Sequence, residues 1–459
     1  MKIAMSRLRR TSRLFTLLVI GLLFVACAGA TPQAPATQAT SAPAAQPTAM
    51  PAAQATTAPA APPTEAPTTQ PTAAPAAEAT AAPAAGEKIK VAILNREMTM
   101  DEIKAEIQKE GSVVVGNWTY TANDQLVQQF QKYVKDTYGV DVKLSYQGTQ
   151  APSTYLTNLY TALKAGNPSP YDVLAIEENY WAEAKAQSPP VMEDYLPSGL
   201  IPNADRVDKM FQHFPTAIGF QASATPAIVY NKSKVDFLKD WKDLADPKLK
   251  GRLTMPLPGD ITCGGFLLGL AASLGKDYKN PDQMKEVVDF AVDKIGPNVV
   301  KYTTDSAEMQ QLLRSGAVDA VGFWNSLARL EFLSGQPGTE NTVYLAAAAG
   351  QYLVNGYMWI PKNAPHPVLA QIFVNWRLSD DAQFPGQDWG IEHGPWAELN
   401  EGLMGSSYEK DIPDWFKKDY FTYYPTSEQL QKQFKTVDWD YYAAHSKEWM
   451  DYYSKRLGL

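Results

Sequence analysis

Residues 112–146 read SVVVGNWTYTANDQLVQQFQKYVKDTYGVDVKLSY, and the spacing of their apolar residues changes twice. The β-branched run at 113–115 predicts a short strand, and residues 124–138 then carry apolar side chains at the spacing of one helix face. Residues 140–146 alternate between apolar and polar, as a half-buried strand does. This order of strand, helix and strand predicts a parallel pair of strands covered by a helix.

The same alternation of elements continues along the chain. Residues 154–165 have helical spacing, and residues 172–176 form a short apolar run typical of a buried strand. A second series begins near residue 225. Its predicted strands lie at 227–230, 253–256, 299–302, 317–323 and 342–346. Residues 352–361 are predicted to form one long strand, followed by a helix over 367–378.

These two series predict an α/β fold of two lobes, each with a mostly parallel sheet, joined by a hinge that the chain crosses twice. The globular part has about 370 residues, which exceeds one ordinary domain. We expect the first half of lobe 1 at 87–220, lobe 2 at 221–352 and the completion of lobe 1 at 353–459. The aromatic segment from about residue 408 is expected to cover apolar surface of lobe 1, with a lid or partner surface as the alternative.

The N-terminal residues predict export from the cytoplasm. Four arginines precede an apolar run at 14–26, which is short for a membrane span but typical of a signal peptide. The run ends in LFVAC at 23–27, which is similar to a bacterial lipobox in which Cys27 receives lipid. The alternative is a plain secretory signal cleaved near Ala30. Residues 28–86 are almost entirely Ala, Pro, Thr and Gln and predict a disordered tether on the outer face of the cell membrane.

Composition excludes several classes of protein. The chain has 41 basic and 49 acidic residues, which argues against a nucleic-acid partner. If Cys27 carries lipid, Cys263 has no disulfide partner, and we interpret it as a small buried residue rather than a reactive thiol. The four histidines show no metal-ligand spacing, and there is no G-x-S-x-G motif. We therefore expect no enzymatic activity, no metal and no cofactor.

Several short motifs occur in an order that resembles a known family. They are GNWT at 116–119, YDVL at 171–174, AIVYN at 227–231, WKDL at 241–244, KG at 250–251, FWN at 323–325 and WIP at 359–361. Together they resemble the spermidine/putrescine-binding proteins of ABC importers, within a wider class that also includes iron, thiamine and phosphonate binders. The resemblance implies a periplasmic-binding-protein-like fold whose lobes close on a small-molecule ligand and deliver it to a permease. We expect a monomer.

Three positions depart from that resemblance. Polyamine binders have carboxylates where this chain has Tyr120 and, by our alignment, Gly356. Iron binders have an adjacent tyrosine pair where this chain has Phe323 followed by tryptophan, which cannot ligate a hard metal. The first expectation is a small polyamine-like amine, and the alternative is an anionic or polar organic solute. A surface scaffold or adhesion lipoprotein without a transport role is the alternative from another class.

Candidate ligand-binding residues follow the predicted strands, because ligands bind beyond the carboxyl ends of strands in parallel sheets. They are Trp118, Tyr120, Glu177, Glu178, Asn179, Tyr180, Asp260, Thr262, Trp324, Asn325, Tyr357 and Glu392. Several have structural alternatives. The two glutamates also suit a helix start, Trp118 also suits packing at a strand end, and Asp260 or Thr262 also suits an N-cap. The helix start after Asp260 could instead bind an anionic group.

Overall fold

The computed structural model describes residues 88–383 and 426–459, with residues 408 and 410, apart from gaps at 119–123, 150, 222–225, 326, 329–336, 346 and 350. The predicted signal peptide, the lipidation site Cys27 and the tether lie outside the described residues. The candidate ligand residues Tyr120 and Glu392 lie outside them as well.

The described strands and helices alternate along most of the chain. The strands are β1 (Ile89–Val91), β2 (Arg96–Met98), β3 (Ser112–Trp118), β4 (Lys143–Thr149), β5 (Val173–Glu177), β6 (Gln212–His213), β7 (Ala217–Gln221), β8 (Pro226–Asn231), β9 (Leu253–Met255), β10 (Val299–Tyr302), β11 (Ala320–Trp324), β12 (Thr342–Leu345), β13 (Gln351–Tyr352), β14 (Gly356–Trp359) and β15 (Phe434–Lys435). The α-helices are α1 (Met100–Glu110), α2 (Asp124–Tyr138), α3 (Ser153–Lys164), α4 (Glu178–Lys185), α5 (Ile261–Ser273), α6 (Pro281–Phe290), α7 (Ser306–Arg314), α8 (Pro367–Arg377), α9 (Asp380–Gln383), α10 (Ser427–Gln433) and α11 (Trp439–Leu457).

The first sheet has the strand order β4-β3-β5-β14-β7-β6. Strand β3 is parallel to β4 and β5, whereas β14 is antiparallel to β5 and β7. Helices α2 and α8 share one apolar cluster with this sheet, and the ring of Phe130 meets that of Phe373 edge-on at 5.3 Å between centroids. Edge-to-face pairs of this kind add to the free energy gained from burying the rings.

The second sheet has the strand order β10-β9-β11-β8-β12. Strand β9 is parallel to β10 and β11, and β8 is antiparallel to β11 and β12. Helix α5 is buried along almost its whole length, as expected for a helix that is apolar on every side. At Gly269 a Cβ atom would lie 2.3 Å from Nε1 of Trp241, so glycine is required for this close approach.

The chain passes from one sheet to the other twice. It leaves the first sheet after β7 and enters the second at β8, then returns between β12 and β14. On return, Gly356 of β14 pairs with Glu177 of β5, beside the site where the outgoing chain leaves. The predicted α/β fold with two sheets and two strand crossings is confirmed. The sheets are mixed rather than mostly parallel, because the strands at the crossings, β7, β8 and β14, run antiparallel to their neighbours.

The return crossing differs from the single long strand predicted for residues 352–361. Gln351 and Tyr352 form β13 and pair in parallel with β15, which lies far along the chain. The strand pairing stops at 353–355, and β14 then joins the first sheet. Two strands form because the two halves of this segment have different partners.

The C-terminal aromatic helix does not simply cover lobe 1, as the sequence predicts. On α11, the ring of Trp449 packs against Tyr278 at 6.4 Å, and Tyr453 packs against Tyr302 of β10 at the same distance. The helix also contacts α4 of the first lobe, where Lys185 pairs with Asp440. The prediction was incomplete, because the docking of α11 on α5, where Gly264 leaves space for Tyr442, depends on tertiary contacts that periodicity along one segment does not reveal.

Candidate functional site

A cavity of about 710 Å³ lies where the strands of both sheets end. Its described lining consists of Trp118 at the end of β3; Ala151, Pro152 and Ser153 after β4; Asn179, Tyr180 and Glu183 on α4; Leu257, Pro258, Gly259, Asp260 and Ile261 between β9 and α5; Thr304 after β10; and Tyr442, Ala443, Ser446, Lys447, Met450 and Asp451 on α11. The loops that follow parallel strands therefore meet here from both lobes, in the position where such sheets bind ligands.

Trp118 connects the cavity to a buried carboxylate. Its indole Nε1 donates a hydrogen bond to Oε1 of Glu177, which is 8% exposed, while Oε2 of Glu177 has no hydrogen-bond partner. Burial raises the pKa of Glu177 to about 7, the charge of Asp260 acts in the same direction, and the bond from Trp118 opposes both. A buried acceptor without a donor is uncommon and calls for an explanation.

Asn179 and Tyr180 line the cavity directly after Glu177. The Oδ1 atom of Asn179 is buried and has no hydrogen-bond partner. Tyr180 is almost fully buried, and burial raises the pKa of its hydroxyl well above the usual value, with the charges of Glu177 and Asp260 adding to the effect. This wall therefore presents an aromatic surface together with unused hydrogen-bond acceptors.

Asp260 lines the opposite wall and is also the N-cap of α5. Its Oδ1 atom accepts hydrogen bonds from the backbone N–H groups of Thr262 at 2.9 Å and Cys263 at 3.2 Å. Burial raises the pKa of Asp260, although these two hydrogen bonds lower it. Thr262 is buried in the first turn of the helix. The carboxylate of Asp260 therefore occupies the start of α5, where the sequence also predicted a possible binding site for an anionic group.

Glu178 lies in an internal network near the strand crossings. One carboxylate oxygen is bonded to Nε2 of His213, and the other accepts a hydrogen bond from Asn355 at 3.4 Å. The His213 ring is stacked between Trp181 at 3.9 Å and Tyr357 at 4.6 Å. Tyr357 is completely buried in β14, and its hydroxyl has no hydrogen-bond partner. Neither Glu178 nor Tyr357 is among the described residues that line the cavity.

Trp324 and Asn325 end strand β11 in the second sheet. Trp324 is opposite Pro226 of β8 and packs against an apolar cluster that includes residues of both lobes, and Asn325 is buried. Among the described lining residues, neither of the two appears. The strand-end rule predicted all six residues at the site, and the structure brings Trp118, Asn179, Tyr180 and Asp260 to the cavity but not Trp324 and Asn325.

The sequence interpretation missed two groups of cavity residues. The loops after β4 and β9, which contain Pro152 and Pro258, follow strands and were accessible to the same rule. The strand-end rule could not find the residues of α11, because that helix follows no strand of either large sheet and reaches the cavity only through tertiary docking.

Comparison with known proteins agrees with this geometry. The family model for bacterial extracellular solute-binding proteins matches residues 121–384. The chain belongs to this family. A search of curated proteins found no match to the sequence.

Solved structures of similar fold include transport proteins from three bacteria. A putative spermidine/putrescine ABC transporter from Listeria monocytogenes is 19% identical, with a TM-score of 0.57 over 75% of this chain and 99% of that one. The spermidine/putrescine substrate-binding protein PotD from Streptococcus pneumoniae is 19% identical, with a TM-score of 0.56 over 74% and 99%. The protein AgtB from A. tumefacien, solved with agropinic acid, is 18% identical, with a TM-score of 0.54 over 76% and 99%.

At these identities the structures establish the fold, while the family match establishes the general role. By its family, the chain is a bacterial extracellular solute-binding protein. The predicted family resemblance is confirmed. None of the described helices is both long and apolar enough to cross a membrane.

Proposed function

We propose that this solute-binding protein captures a small organic solute bearing an amine in the cavity between its lobes and delivers it to an ABC permease. The observation that carries the proposal is the excess of hydrogen-bond acceptors at the cavity. Oε2 of Glu177 and Oδ1 of Asn179 are buried without donors. An ammonium group has donors and no acceptor, so it complements both atoms.

The charge of the walls supports a cation. Glu183, Asp260 and Asp451 line the cavity, and Glu177 lies one hydrogen bond behind it. Lys447 also lines it, but its Nζ atom is 2.6 Å from a carboxylate oxygen of Asp451, which offsets its charge. The aromatic faces of Trp118 and Tyr180 suit a cation with an aliphatic chain. At the start of α5, an anion would meet the carboxylate of Asp260, which already accepts hydrogen bonds from the first free N–H groups of that helix.

A ligand screen by thermal unfolding tests the proposal. The detergent-solubilised full-length protein is mixed with putrescine, spermidine, γ-aminobutyrate or succinate. A solute at about 100 times its dissociation constant should stabilise the fold by about 2.7 kcal/mol. We expect the amines to raise the melting temperature and succinate to leave it unchanged. A shift with succinate and none with any amine would reject the amine assignment.

Two tryptophan variants test the location of the site. Trp118→Ala should weaken amine binding by about 10- to 30-fold, because it removes the aromatic face and exposes Glu177 to water. Trp324→Ala is the matched control, since Trp324 also ends a strand but is absent from the described cavity lining. Equal loss of binding in both variants would place the site elsewhere.

We also propose that Cys27 carries a lipid anchor and that residues 28–86 tether the lobes to the membrane. The apolar run at 14–26 and the LFVAC sequence that ends it support the anchor. An extended tether of this length reaches at most about 180 Å. Metabolic labelling with a radioactive fatty acid tests the anchor. The wild type should incorporate label and Cys27→Ser should not, whereas label in both would assign it to another residue.

A further inference from the structure

Helix α11 forms a third wall of the cavity, between the strand-end loops of the two lobes. Its lining residues are Tyr442, Ala443, Ser446, Lys447, Met450 and Asp451. They form three adjacent pairs that recur every four residues and so lie on one face of the helix. This face is outside residues 121–384, which are the part of the chain that matches the family.

Polar contacts fix α11 to the second lobe at both ends. Before its first turn, Asp438 pairs with Lys279 at 2.6 Å. In its last turns, the Tyr452 hydroxyl donates a hydrogen bond to Asp289 at 2.9 Å, and Arg456 pairs with Asp293 at 2.8 Å. The anchoring residues Asp289 and Asp293 lie on or directly after α6, so the helix is held along its length.

Close packing with α5 fixes the depth of the wall. A Cβ atom on Gly264 would lie 1.9 Å from the hydroxyl oxygen of Tyr442, so only glycine at this position admits the tyrosine. Tyr442 is 5% exposed, and Trp449 and Met450 are buried beside it. A helix seated this tightly presents a wall of fixed shape to the solute.

The helix also packs against α4 of the first lobe. Lys185 of α4 pairs with Asp440 at 2.9 Å, but their side chains are 47% and 66% exposed. Exposed ion pairs of this kind contribute little to stability because water and salt screen them. Packing rather than these exposed charges therefore holds the helix, which contacts both lobes and lines the cavity beside α4.

We propose that α11 sets the size limit of the solute and is a specificity-determining element that the family-matched region does not contain. This inference rests on the proposed function, since it concerns the same cavity. Ala443 is the position that decides the limit. It lines the cavity, is exposed and has a small side chain, so the space in front of it is available to the solute.

A matched pair of variants tests the inference in the full-length protein. Ala443→Trp places a large ring in the cavity, and Ala444→Trp places the same ring on the neighbouring exposed residue, which lines the groove between α4 and α11 but not this cavity. Calorimetry with spermidine and putrescine measures each dissociation constant. We expect Ala443→Trp to weaken spermidine binding at least 10-fold and putrescine binding less, and Ala444→Trp to change neither by more than about twofold.

Each other outcome has a separate meaning. If the wild type binds the amines and Ala443→Trp binds them equally tightly, the size limit is wrong and the proposed function stands. Equal weakening by both variants would also overturn it, because the effect would then come from the helix and not from the cavity. Wild-type protein that binds neither amine would overturn the amine assignment and this inference together. Ala443→Leu, which adds less volume, should give an intermediate loss and serves if the tryptophan variant unfolds.

Discussion

Glu177 and Glu178 are adjacent in the chain but lie in two different polar clusters. The cavity-side cluster is Trp118, Glu177 and Asn179, and the hinge-side cluster is Glu178, His213 and Asn355. In the hinge-side cluster both oxygens of Glu178 have partners. In the cavity-side cluster one oxygen of Glu177 has none, although the residue is buried.

The difference arises from where strand β5 ends. Glu177 is the last residue of β5 and Glu178 the first of α4, so the change of backbone direction sends the two side chains to different surroundings. A buried carboxylate with all its partners inside the protein serves the fold, whereas one with an unused oxygen beside a cavity is available to a ligand. The comparison therefore supports a role in stability for Glu178 and the proposed role in solute recognition for Glu177.

The largest expected effect is on the hinge side. Glu178→Ala removes the partner of both His213 and Asn355 and leaves those polar groups buried without it. We expect the free energy of unfolding to fall by about 2–3 kcal/mol, while putrescine affinity changes by less than about twofold. Urea unfolding and calorimetry measure the two quantities. A large loss of affinity at unchanged stability would reverse the two assignments.

A substitution on the cavity side should have the opposite profile. Glu177→Gln keeps an acceptor for the indole of Trp118 but removes the negative charge, so amine affinity should fall by about 10-fold. The folded-state pKa of Glu177 is raised from 4.5 to about 7. The stability linked to its protonation is therefore full below pH 4.5 and is lost as the pH rises through 7. Accordingly, Glu177→Gln should be no less stable than the wild type at pH 8. A clear loss of stability there would show that Glu177 serves the fold.

The pH dependence of binding sharpens the same contrast. Because the pKa of Glu177 is about 7 in the free protein, the ionised fraction of this group rises about tenfold between pH 6 and pH 8. Putrescine affinity should increase by about the same factor over this range and level off above it. Calorimetry at several pH values gives the profile. Glu177→Gln should flatten it, and an unchanged profile in that variant would assign the titration to another group.

The smallest expected effect is at the contact between α4 and α11. Lys185→Ala removes an exposed pair with Asp440, so the free energy of unfolding should change by no more than about 0.5 kcal/mol. Thermal unfolding at low and high salt measures it. A loss above about 2 kcal/mol would show that the two elements are more tightly joined than exposed charges allow.

Much of the fold followed from local patterns, because strand and helix periodicities are visible within ten to fifteen residues. The parallel strands β3, β4 and β5 were predicted in this way. The break between β13 and β14 was not, since it depends on β15, whose residues lie about eighty positions further on. The docking of α11 on α5 depends likewise on Gly264 leaving space for Tyr442.

The site was predictable only to the level of strand ends. Trp118, Asn179, Tyr180 and Asp260 lie at the cavity because each follows a strand of a sheet whose strands end there. The same rule could not separate Glu177 from Glu178 or exclude Trp324. Those outcomes depend on side-chain direction and on neighbours from distant segments, which spacing along the chain does not contain.

The pairing of β13 with β15 has a mechanical consequence for the junction between the lobes. The returning chain is reinforced there by a second segment, and the N–H of Leu353 donates a hydrogen bond to the carbonyl of Lys435 at 2.8 Å. Any rotation of one lobe relative to the other must therefore either bend this pair of strands or move it as a rigid unit. The pair of β13 and β15 would then couple a change in the angle of the junction to the position of α11, which follows β15 in the chain.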